Sequence, residues 1–589
     1  MRDTSRGVRL EAVVYLIIIL VAALLRLARL DWPPLTDPEA GRALAANSLQ
    51  GNPVALDSGP SRLAPGAAYE VPTAVLFLLT GATEAKARLV PAIAGVALCL
   101  TPLLARRRLG PANSLALGLL LALSPIMVTL SRTAGGTSLA GLGLLSALLL
   151  LVGADGSIES SRRSSWAAAF IALALTAGPG YVHGLASLGL AAALTAIWRA
   201  RQESPPSPLI RLSFSRRDLW IALIVLIALA SGFGMSRGGI GDPFQSLGNW
   251  LQGWSSRGGL PVLASVLLIP VYEPILLVFG LVGALISFRR RDQAGVAASF
   301  WALGATLALA AYPSRSAVDL LWIAFPASFL AARVLVVLAE SVLAEGNWLR
   351  FGGMTVAFGV LVAFIYLQVV AYAIGLGPEL AILDPRLRLG IIVVAGLIGV
   401  VLLVLFGTGW SWAAAGQTVG VVAFGALLAL SSSSVFRMNY TTKAAEGAQL
   451  WQPRVTTVGL RELTSTLDFL SKSYRDDPGG LTLEIAGSAP PSLIWALRDF
   501  GRAPVVPSSP APPVVLAPDG SEPNLRADYY GQKLEIAETN DWEGALPPDV
   551  LSWWIFHRAP VKSDNWLLLV RADVATQGGT TSLGSDTNP

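Results

Sequence analysis

The first thirty residues read MRDTSRGVRLEAVVYLIIILVAALLRLARL, and arginines flank the apolar run from Val13 to Leu25 on both sides. An α-helix needs about 20 apolar residues to cross a bilayer, which this run and its flanks supply. Because the run lacks a small-residue cleavage site, we expect a retained transmembrane helix over about 12–30, not a signal peptide. The basic residues before it predict a cytoplasmic N-terminus.

Similar apolar runs recur to about residue 431. The mean hydropathy of +0.59 and the charged fraction of 14% exclude an ordinary soluble protein. Four loops that we predict to be internal carry 3, 2, 5 and 3 arginines. We therefore predict a polytopic α-helical protein of the cell membrane with about thirteen transmembrane helices. The predicted helices lie at about 12–30, 84–104, 112–130, 138–153, 166–179, 184–198, 219–234, 262–287, 294–311, 319–340, 353–373, 389–407 and 412–431.

The remainder of the chain, 432–589, is polar and rich in proline, and we interpret it as a second domain beside a transmembrane domain of residues 1–431. An odd number of helices places this second domain outside the cell. Short strand-like stretches alternate with helix-like ones, which predicts a small extracytoplasmic α/β domain. The predicted helices are 458–474 and 492–500, and the predicted strands are 481–485, 513–517 and 566–571.

The composition excludes several kinds of site. Cys99 is the only cysteine, so the chain forms no internal disulfide and has no cysteine-based metal site. The two histidines, His183 and His557, are far apart in sequence. We expect no cofactor and no metal, although Asp37 with Glu39 could hold a divalent ion. The net charge of +5 comes mostly from arginines in short loops, and it does not indicate a nucleic-acid partner.

Two outer loops, at about 31–83 and 236–260, interrupt the apolar pattern. The first contains Asp37-Pro-Glu39-Ala-Gly-Arg42. Asp37 followed by proline is a good helix start, Glu39 suits the helix dipole, and Arg42 lies on the same face as Glu39. A helix on the membrane surface would use these residues without catalysis, so the pattern leaves both interpretations open.

Several motifs follow in an order that resembles the GT-C glycosyltransferases related to aminoarabinose transferase and protein O-mannosyltransferase. The resemblance covers about residues 8–185. Its motifs are Pro-Leu-x-Asp-x-Glu-Ala after the first helix, Tyr69-Glu70-Val71-Pro72, the stretch Gly81 to Gly95, Arg106 to Gly110, Leu123-Ser-Pro125, Ser131-Arg132 and Gly178-Pro179.

This resemblance implies a GT-C-like fold and an inverting glycosyltransferase that uses a polyprenyl-phosphate sugar in the lipid bilayer. An acidic residue after the first helix would act as base on the acceptor hydroxyl, which assigns Asp37 with Glu39 as support or substitute. The chain departs from the family where Pro38 separates the two acids, where Val71 replaces a frequent lysine, and where Thr137 stands near a missing acid. These departures favour an alternative, a catalytically degenerate relative that acts as an envelope scaffold or binding protein.

Basic groups would stabilise the leaving phosphate, and arginine suits bidentate contact with it. The outer candidates are Arg42, Arg62, Arg88, Arg132, Arg237, Arg257 and Arg315. We assign Arg88, Arg132, Arg42 and Arg315 to the donor phosphate, and Arg88 and Arg132 gain from lying near helix ends. An alternative for Arg88 is an interfacial charge, or a pair with Glu84.

The resemblance also assigns Tyr69, Glu70 and His183 to substrate binding, because of their positions. For His183 the alternative is a polar residue at the membrane interface. Tryptophans in the 236–260 loop fit an interfacial belt better than a flap over the donor. A transporter is a weaker interpretation, because the predicted helix centres are nearly free of charge.

Overall fold

The computed structural model describes residues 4–50, 66–152, 158–202, 214–234, 239–256, 258–344, 348–375, 384–442, 446, 449–452, 454–475, 481–500, 511–556 and 558–578. The helices up to residue 439 are α1 Thr4–Leu27, α2 Asp37–Ser48, α3 Ala67–Thr80, α4 Glu84–Leu100, α5 Arg106–Leu109, α6 Pro111–Leu123, α7 Pro125–Ser131, α8 Thr137–Val152, α9 Ile158–Leu175, α10 Gly180–Ala200, α11 Arg216–Ala230, α12 Asp242–Gln252, α13 Val262–Tyr272, α14 Pro274–Arg290, α15 Gln293–Ala311, α16 Leu321–Leu343, α17 Trp348–Gly375, α18 Pro385–Gly409 and α19 Trp412–Asn439.

Each of the thirteen predicted apolar segments lies on helix in this structure, which confirms the predicted fold class. Among the described residues, eight helices are long and apolar enough to cross a membrane, or up to ten if each of two bent pairs is one span. The bent pairs are α6–α7, with an angle of 62°, and α13–α14, with an angle of 93°. Proline begins the second helix of each pair, as expected where a helix is interrupted.

Two buried polar side chains compensate the break between α6 and α7. The guanidinium of Arg26 donates to the carbonyls of Leu121 and Ala122 at 2.8 and 3.1 Å. A carboxyl oxygen of Glu273 accepts from the backbone N–H of Ile126 at 2.8 Å. A cation therefore meets the carbonyl end of α6, as the helix dipole favours, and an acceptor meets the amide end of α7.

The outer loops contain the helices α2, α3 and α12, of which α2 begins at Asp37, where the sequence indicated a helix start. Within 31–83, α2 begins with a capping box in which Thr36 and Glu39 satisfy each other's backbone groups. The helix α3 follows in the same loop, and α12 lies within 236–260. Proline and glycine near these helices made the loops resemble irregular structure, although proline in a first turn is compatible with helix.

The C-terminal part consists of β1 Arg454–Thr456, α20 Gly459–Arg475, β2 Leu483–Ile485, α21 Pro491–Ala496, β3 Val514–Pro518, β4 Tyr529–Asn540, α22 Val550–Phe556, β5 Val561–Arg571 and α23 Ala572–Gly578. The strands form one sheet in the order β1-β4-β5-β3-β2, in which only the β2–β3 pair is parallel. Neither β1 nor the long strand β4 was predicted from the sequence. The helix α19 continues to Asn439, eight residues beyond the predicted limit of 431.

Buried tryptophans attach this C-terminal part to the helical part. Trp495 and Trp553 are fully buried in the same apolar cluster as the transmembrane helices. The ring of Trp495 lies 5.8 Å from that of Phe77 in α3. The sheet domain is therefore packed directly on the outer helices α2 and α3, and it can contribute residues to a site there.

Candidate functional site

Glu39 lies buried in the first turn of α2, where five donors surround its carboxylate. Two come from Thr36, two from Arg88, and one is the backbone N–H of Ala134 at 2.9 Å. Burial alone would raise the pKa of Glu39, but the Arg88 guanidinium and the backbone donors hold it below its usual value. This carboxylate is therefore ionised and committed to internal partners.

Arg88 uses its whole guanidinium in the protein interior. Besides two bonds to Glu39, its Nη atoms donate to the carbonyls of Leu30, Pro33 and Pro34 at 3.1, 2.6 and 3.4 Å. The pairing with Glu84 that the sequence allowed does not form, because Glu84 pairs with Arg461 of the sheet domain at 2.7 Å. Arg88 fixes the segment between α1 and α2.

Arg132, at the end of α7, binds the same segment from the other side. The Nη atoms donate to four carbonyls at and beyond the end of α1, those of Arg26, Ala28, Arg29 and Trp32. Its guanidinium carbon lies 4.5 Å from the ring centroid of Tyr440. The Nε atom is buried and has no hydrogen-bond partner among the described residues. Arg132 therefore holds the segment after α1 with its Nη atoms, while one of its donors is unused in this conformation.

Glu39, Arg88 and Arg132 converge on one cleft between the helical part and the start of the sheet domain. It contains about 490 Å³ of empty space, part of it open to solvent. Asp37 is absent from its lining among the described residues. The lining residues are Trp32, Pro33, Thr36, Glu39, Arg88, Thr129, Arg132, Thr133, Met438, Asn439, Gln449, Trp451, Gln452 and Val455.

Asp37 instead faces the sheet domain. Its Oδ1 accepts from the backbone N–H and the hydroxyl of Ser492, at 3.2 and 2.6 Å. Its Oδ2 lies 3.0 Å from Nε of Arg454, whose Nη2 also pairs with Asp564. The side chain of Asp37 keeps 24% of its surface exposed, so it remains accessible, unlike Glu39. The two acids of the motif thus have different environments.

A second polar group lies along α2 and α3. Arg42 donates to the carbonyl of Ala134 at 3.1 Å, its single hydrogen bond among the described residues. The hydroxyl of Tyr69 donates to the carbonyl of Ala87 at 3.0 Å. Glu70 accepts from the backbone N–H of Gly66 at 3.2 Å. Of the four arginines assigned to phosphate, Arg42 has the least committed guanidinium.

Asp242, the first residue of α12, is a carboxylate in the predicted outer loop 236–260. It is buried, and burial raises its pKa to about 6, against the effect of the Ala67 backbone N–H. Burial also raises the pKa of Glu70, the backbone N–H of Gly66 opposes this, and the charge of Asp242 adds to it. The charges of these two carboxylates repel each other, and Glu70 also interacts with the charge of Arg42. Nothing in the local sequence distinguished Asp242 from a helix-capping residue.

His183 and Arg315 lie away from the cleft lining. Both ring nitrogens of His183 are buried without hydrogen-bond partners among the described residues, and its ring lies 5.9 Å from that of Tyr312. Arg315 donates to the carbonyls of Leu260, Leu309 and Ala310, which ties the end of α15 to the loop between α12 and α13. The arginine thus has a structural role in this conformation.

Arg62, Arg237, Arg257 and His557 lie outside the described residues. Within the described part of the chain, no group of three or more His, Cys, Asp or Glu side chains could hold a metal ion.

Comparison with solved structures identifies the architecture. The chain is similar to the crystal structure of ArnT from Cupriavidus metallidurans bound to undecaprenyl phosphate, with a TM-score of 0.54 and 13% identity over 97% of this chain and 99% of that one. The apo state of the same ArnT gives a TM-score of 0.47, with 15% identity over 84% of this chain and 85% of that one.

The Archaeoglobus fulgidus oligosaccharyltransferase AglB, in complex with an inhibitory peptide and a dolichol-phosphate, gives a TM-score of 0.40, with 14% identity over 86% of this chain and 69% of that one. No family model matches the sequence, and no curated protein matches it. At these identities the likeness concerns the fold. The chain therefore has a GT-C-like membrane fold with a C-terminal sheet domain, as the order of its motifs predicts.

Proposed function

We propose that this protein is a membrane glycosyltransferase that moves a sugar from a polyprenyl-phosphate donor to an extracytoplasmic acceptor, which is a protein, a lipid or a glycan. The observation that carries the proposal is the group of acids and arginines around α2, Asp37, Glu39, Arg42, Arg88 and Arg132, in a GT-C-like fold. The sheet domain lies on the same side as this group, and the basic loops predict that this side is extracytoplasmic.

Asp37 is the base in this proposal. It takes the proton from the acceptor hydroxyl, the acceptor oxygen bonds to the anomeric carbon, and the bond from that carbon to the phosphate oxygen breaks with its electron pair on the phosphate. Direct displacement of this kind inverts the anomeric centre. The hydroxyl of Ser492 already donates to Oδ1 at 2.6 Å, in the way that an acceptor hydroxyl would have to donate.

Glu39 and Arg88 support this base by position. Their paired side chains fix the first turn of α2, in which Asp37 lies. Because Glu39 accepts from five donors, an acceptor hydroxyl would have to displace one of them to reach it. We assign Glu39 to positioning, with proton transfer left to Asp37.

Arg42 is the best phosphate partner. Backbone carbonyls or Glu39 accept from the donors of Arg88 and Arg315 and from the Nη donors of Arg132. In contrast, Arg42 makes one hydrogen bond among the described residues. Its guanidinium can therefore rotate towards a phosphate without uncovering a helix end. Tyr69, Glu70 and His183 remain candidates for contact with the sugar or the acceptor.

A scaffold protein is the second candidate function, and one observation favours it. Glu39 and Arg88 satisfy each other, and Asp37 is bound to Ser492 and Arg454, so the motif also serves to attach the sheet domain. A degenerate relative would retain these contacts for stability alone.

The test uses purified full-length protein with a panel of polyprenyl-phosphate sugars, and it measures release of free polyprenyl phosphate. Asp37→Asn, Glu39→Gln and Arg42→Gln are compared with Asp519→Asn. Asp519 pairs with Lys533 on the sheet domain, so the control removes an exposed acid of the same type.

Turnover by the wild type and by Asp519→Asn, lost in Asp37→Asn, supports the transferase and its base. Turnover that survives in both Asp37→Asn and Glu39→Gln retains the enzyme and refutes this site. If no donor is consumed while the protein is folded and monodisperse, the scaffold is favoured.

A further inference from the structure

The short helix α12 has an apolar face that the protein leaves uncovered. Phe244, Leu247 and Leu251 are 77%, 41% and 56% exposed. Their spacing of three and four residues aligns them in one stripe on a helix. Ile240 and Trp254, also exposed, lie just beyond the two ends of the helix. Monomeric soluble proteins rarely expose a continuous apolar patch of this kind, which usually marks a contact with lipid or protein.

Other residues of α12 attach the helix to the outer ends of neighbouring helices, and Asp242, Pro243 and Ser246 are buried. The carbonyl of Pro243 accepts from the hydroxyl of Tyr181 at 2.8 Å. The ring of Trp250 stacks on that of Tyr312 at 5.4 Å, and Tyr312 donates to the carbonyl of Trp250 at 3.0 Å. The helix is therefore held along its inner face while its apolar stripe points away from the protein.

The position of α12 in the chain and its contacts show on which side of the membrane the helix lies. It follows α11 and precedes the bent pair α13–α14, which is a candidate span. Asp242, at its beginning, takes a backbone hydrogen bond from Ala67 of α3, and α3 packs against the sheet domain through Phe77 and Trp495. The helix thus lies on the membrane side that carries the sheet domain.

Its length and charge distinguish it from a span. Eleven residues make a helix of about 16 Å, roughly half the hydrocarbon thickness of a bilayer. Its exposed polar residues, Gln245 and Gln252, lie on a face beside the apolar stripe, and its one charged residue is the buried Asp242. Such a helix lies in the plane of the interface with one face in lipid.

We propose that α12 is an interfacial helix whose Phe244, Leu247 and Leu251 side chains insert into the acyl chains of the leaflet on the sheet-domain side. The partner of this surface is the lipid bilayer. Because α12 carries no exposed cation, apolar contact holds it there, without attraction to anionic headgroups. The inference does not depend on the proposed transferase activity.

The experiment measures depth with single spin-labelled cysteines in full-length protein, reconstituted in vesicles of phosphatidylcholine and phosphatidylglycerol. Cys99→Ala removes the one native cysteine, which is buried. Labels at Phe244→Cys, Leu247→Cys and Leu251→Cys are compared with labels at Gln245→Cys and Gln252→Cys. Collision with oxygen reports lipid, and collision with a water-soluble nickel chelate reports water.

We expect the three apolar positions to favour oxygen and the two glutamine positions to favour nickel. Equal nickel collision at all five positions would place the stripe in water and overturn the proposal. Lipid burial at all five would make α12 a membrane-embedded segment, which overturns it as well. Maleimide labelling of Leu251→Cys and Gln252→Cys without a spin label gives a second readout with smaller side chains, in which Leu251→Cys should react more slowly.

Discussion

Arg88 contacts both carboxylate oxygens of Glu39, with Nε 2.8 Å from Oε1 and Nη2 2.9 Å from Oε2. Both side chains are almost completely buried. The paired groups join the first turn of α4 to the first turn of α2, and they also fix the segment between α1 and α2. A buried pair of this kind is sensitive to loss of one partner, because the remaining charge stays in the interior.

Replacement of Arg88 by leucine should therefore lower the stability of the folded protein by about 3–5 kcal/mol. The expected measurement is a lower thermal midpoint in detergent. Arg106→Leu is the control, since the side chain of Arg106 is 43% exposed where it pairs with Glu11, and a pair with an exposed partner contributes less. Equal midpoints for Arg88→Leu and the control would refute a structural role for Arg88.

Asp37→Asn should lower turnover while leaving the stability of the fold nearly unchanged. The pair of Asp37 with Arg454 is partly exposed, and asparagine can still accept from Ser492, so the thermal midpoint should change little. Loss of a general base should lower turnover by about 100-fold or more. Parallel measurement of midpoint and kcat tests both parts, and a large fall in midpoint would indicate that Asp37 mainly attaches the sheet domain.

Asp242 should make stability depend on pH. Its pKa is raised to about 6 in the folded protein, from about 3.9 in an unfolded chain. The folded state then binds more protons between these values, so stability should fall as pH rises from about 4 to about 6 and stay level above that. Asp242→Asn should reduce this slope and raise the thermal midpoint at neutral pH. An unchanged slope in Asp242→Asn, with Asp519→Asn as control, would contradict the assignment.

Arg42→Gln should weaken donor binding without unfolding the protein. Loss of a charge-assisted contact with phosphate should raise KM for the donor by about tenfold, with a smaller effect on kcat if the contact forms in the ground state. Arg315→Gln is the matched comparison, because Arg315 ties the end of α15 to the loop between α12 and α13, and its loss should lower the thermal midpoint. A higher KM for the donor in Arg315→Gln, with a lower thermal midpoint in Arg42→Gln, would instead make Arg315 the phosphate ligand.

The membrane helices could be predicted from sequence because a span requires a long apolar run. The run preceding Arg26 and seven later helices of the described chain satisfy that requirement, and every predicted segment lies on helix. The outer helices α2 and α12 were harder to predict from the sequence, since they are short and depend on tertiary contacts. Their prolines, Pro38 and Pro243, are also common in loops.

The partners of the candidate site were less accessible to sequence reasoning. Glu39 and Arg88 are 49 residues apart, and Asp37 and Ser492 are 455 apart. No local pattern connects such pairs, because they form only when α2, α4 and the sheet domain pack together. The raised pKa of Asp242 likewise depends on burial that a single sequence does not reveal.

The broken helix α6–α7 has a consequence for membrane insertion. Arg26 lies in the last turn of α1, where the side chain of a lone helix can reach the membrane interface. The carbonyl of Leu121 that accepts from it is 95 residues further along the chain. We therefore expect Arg26 to keep its guanidinium in the interface during synthesis and to bury it only when α6 and α7 are made. The burial of this charge in the first helix thus depends on the third predicted span.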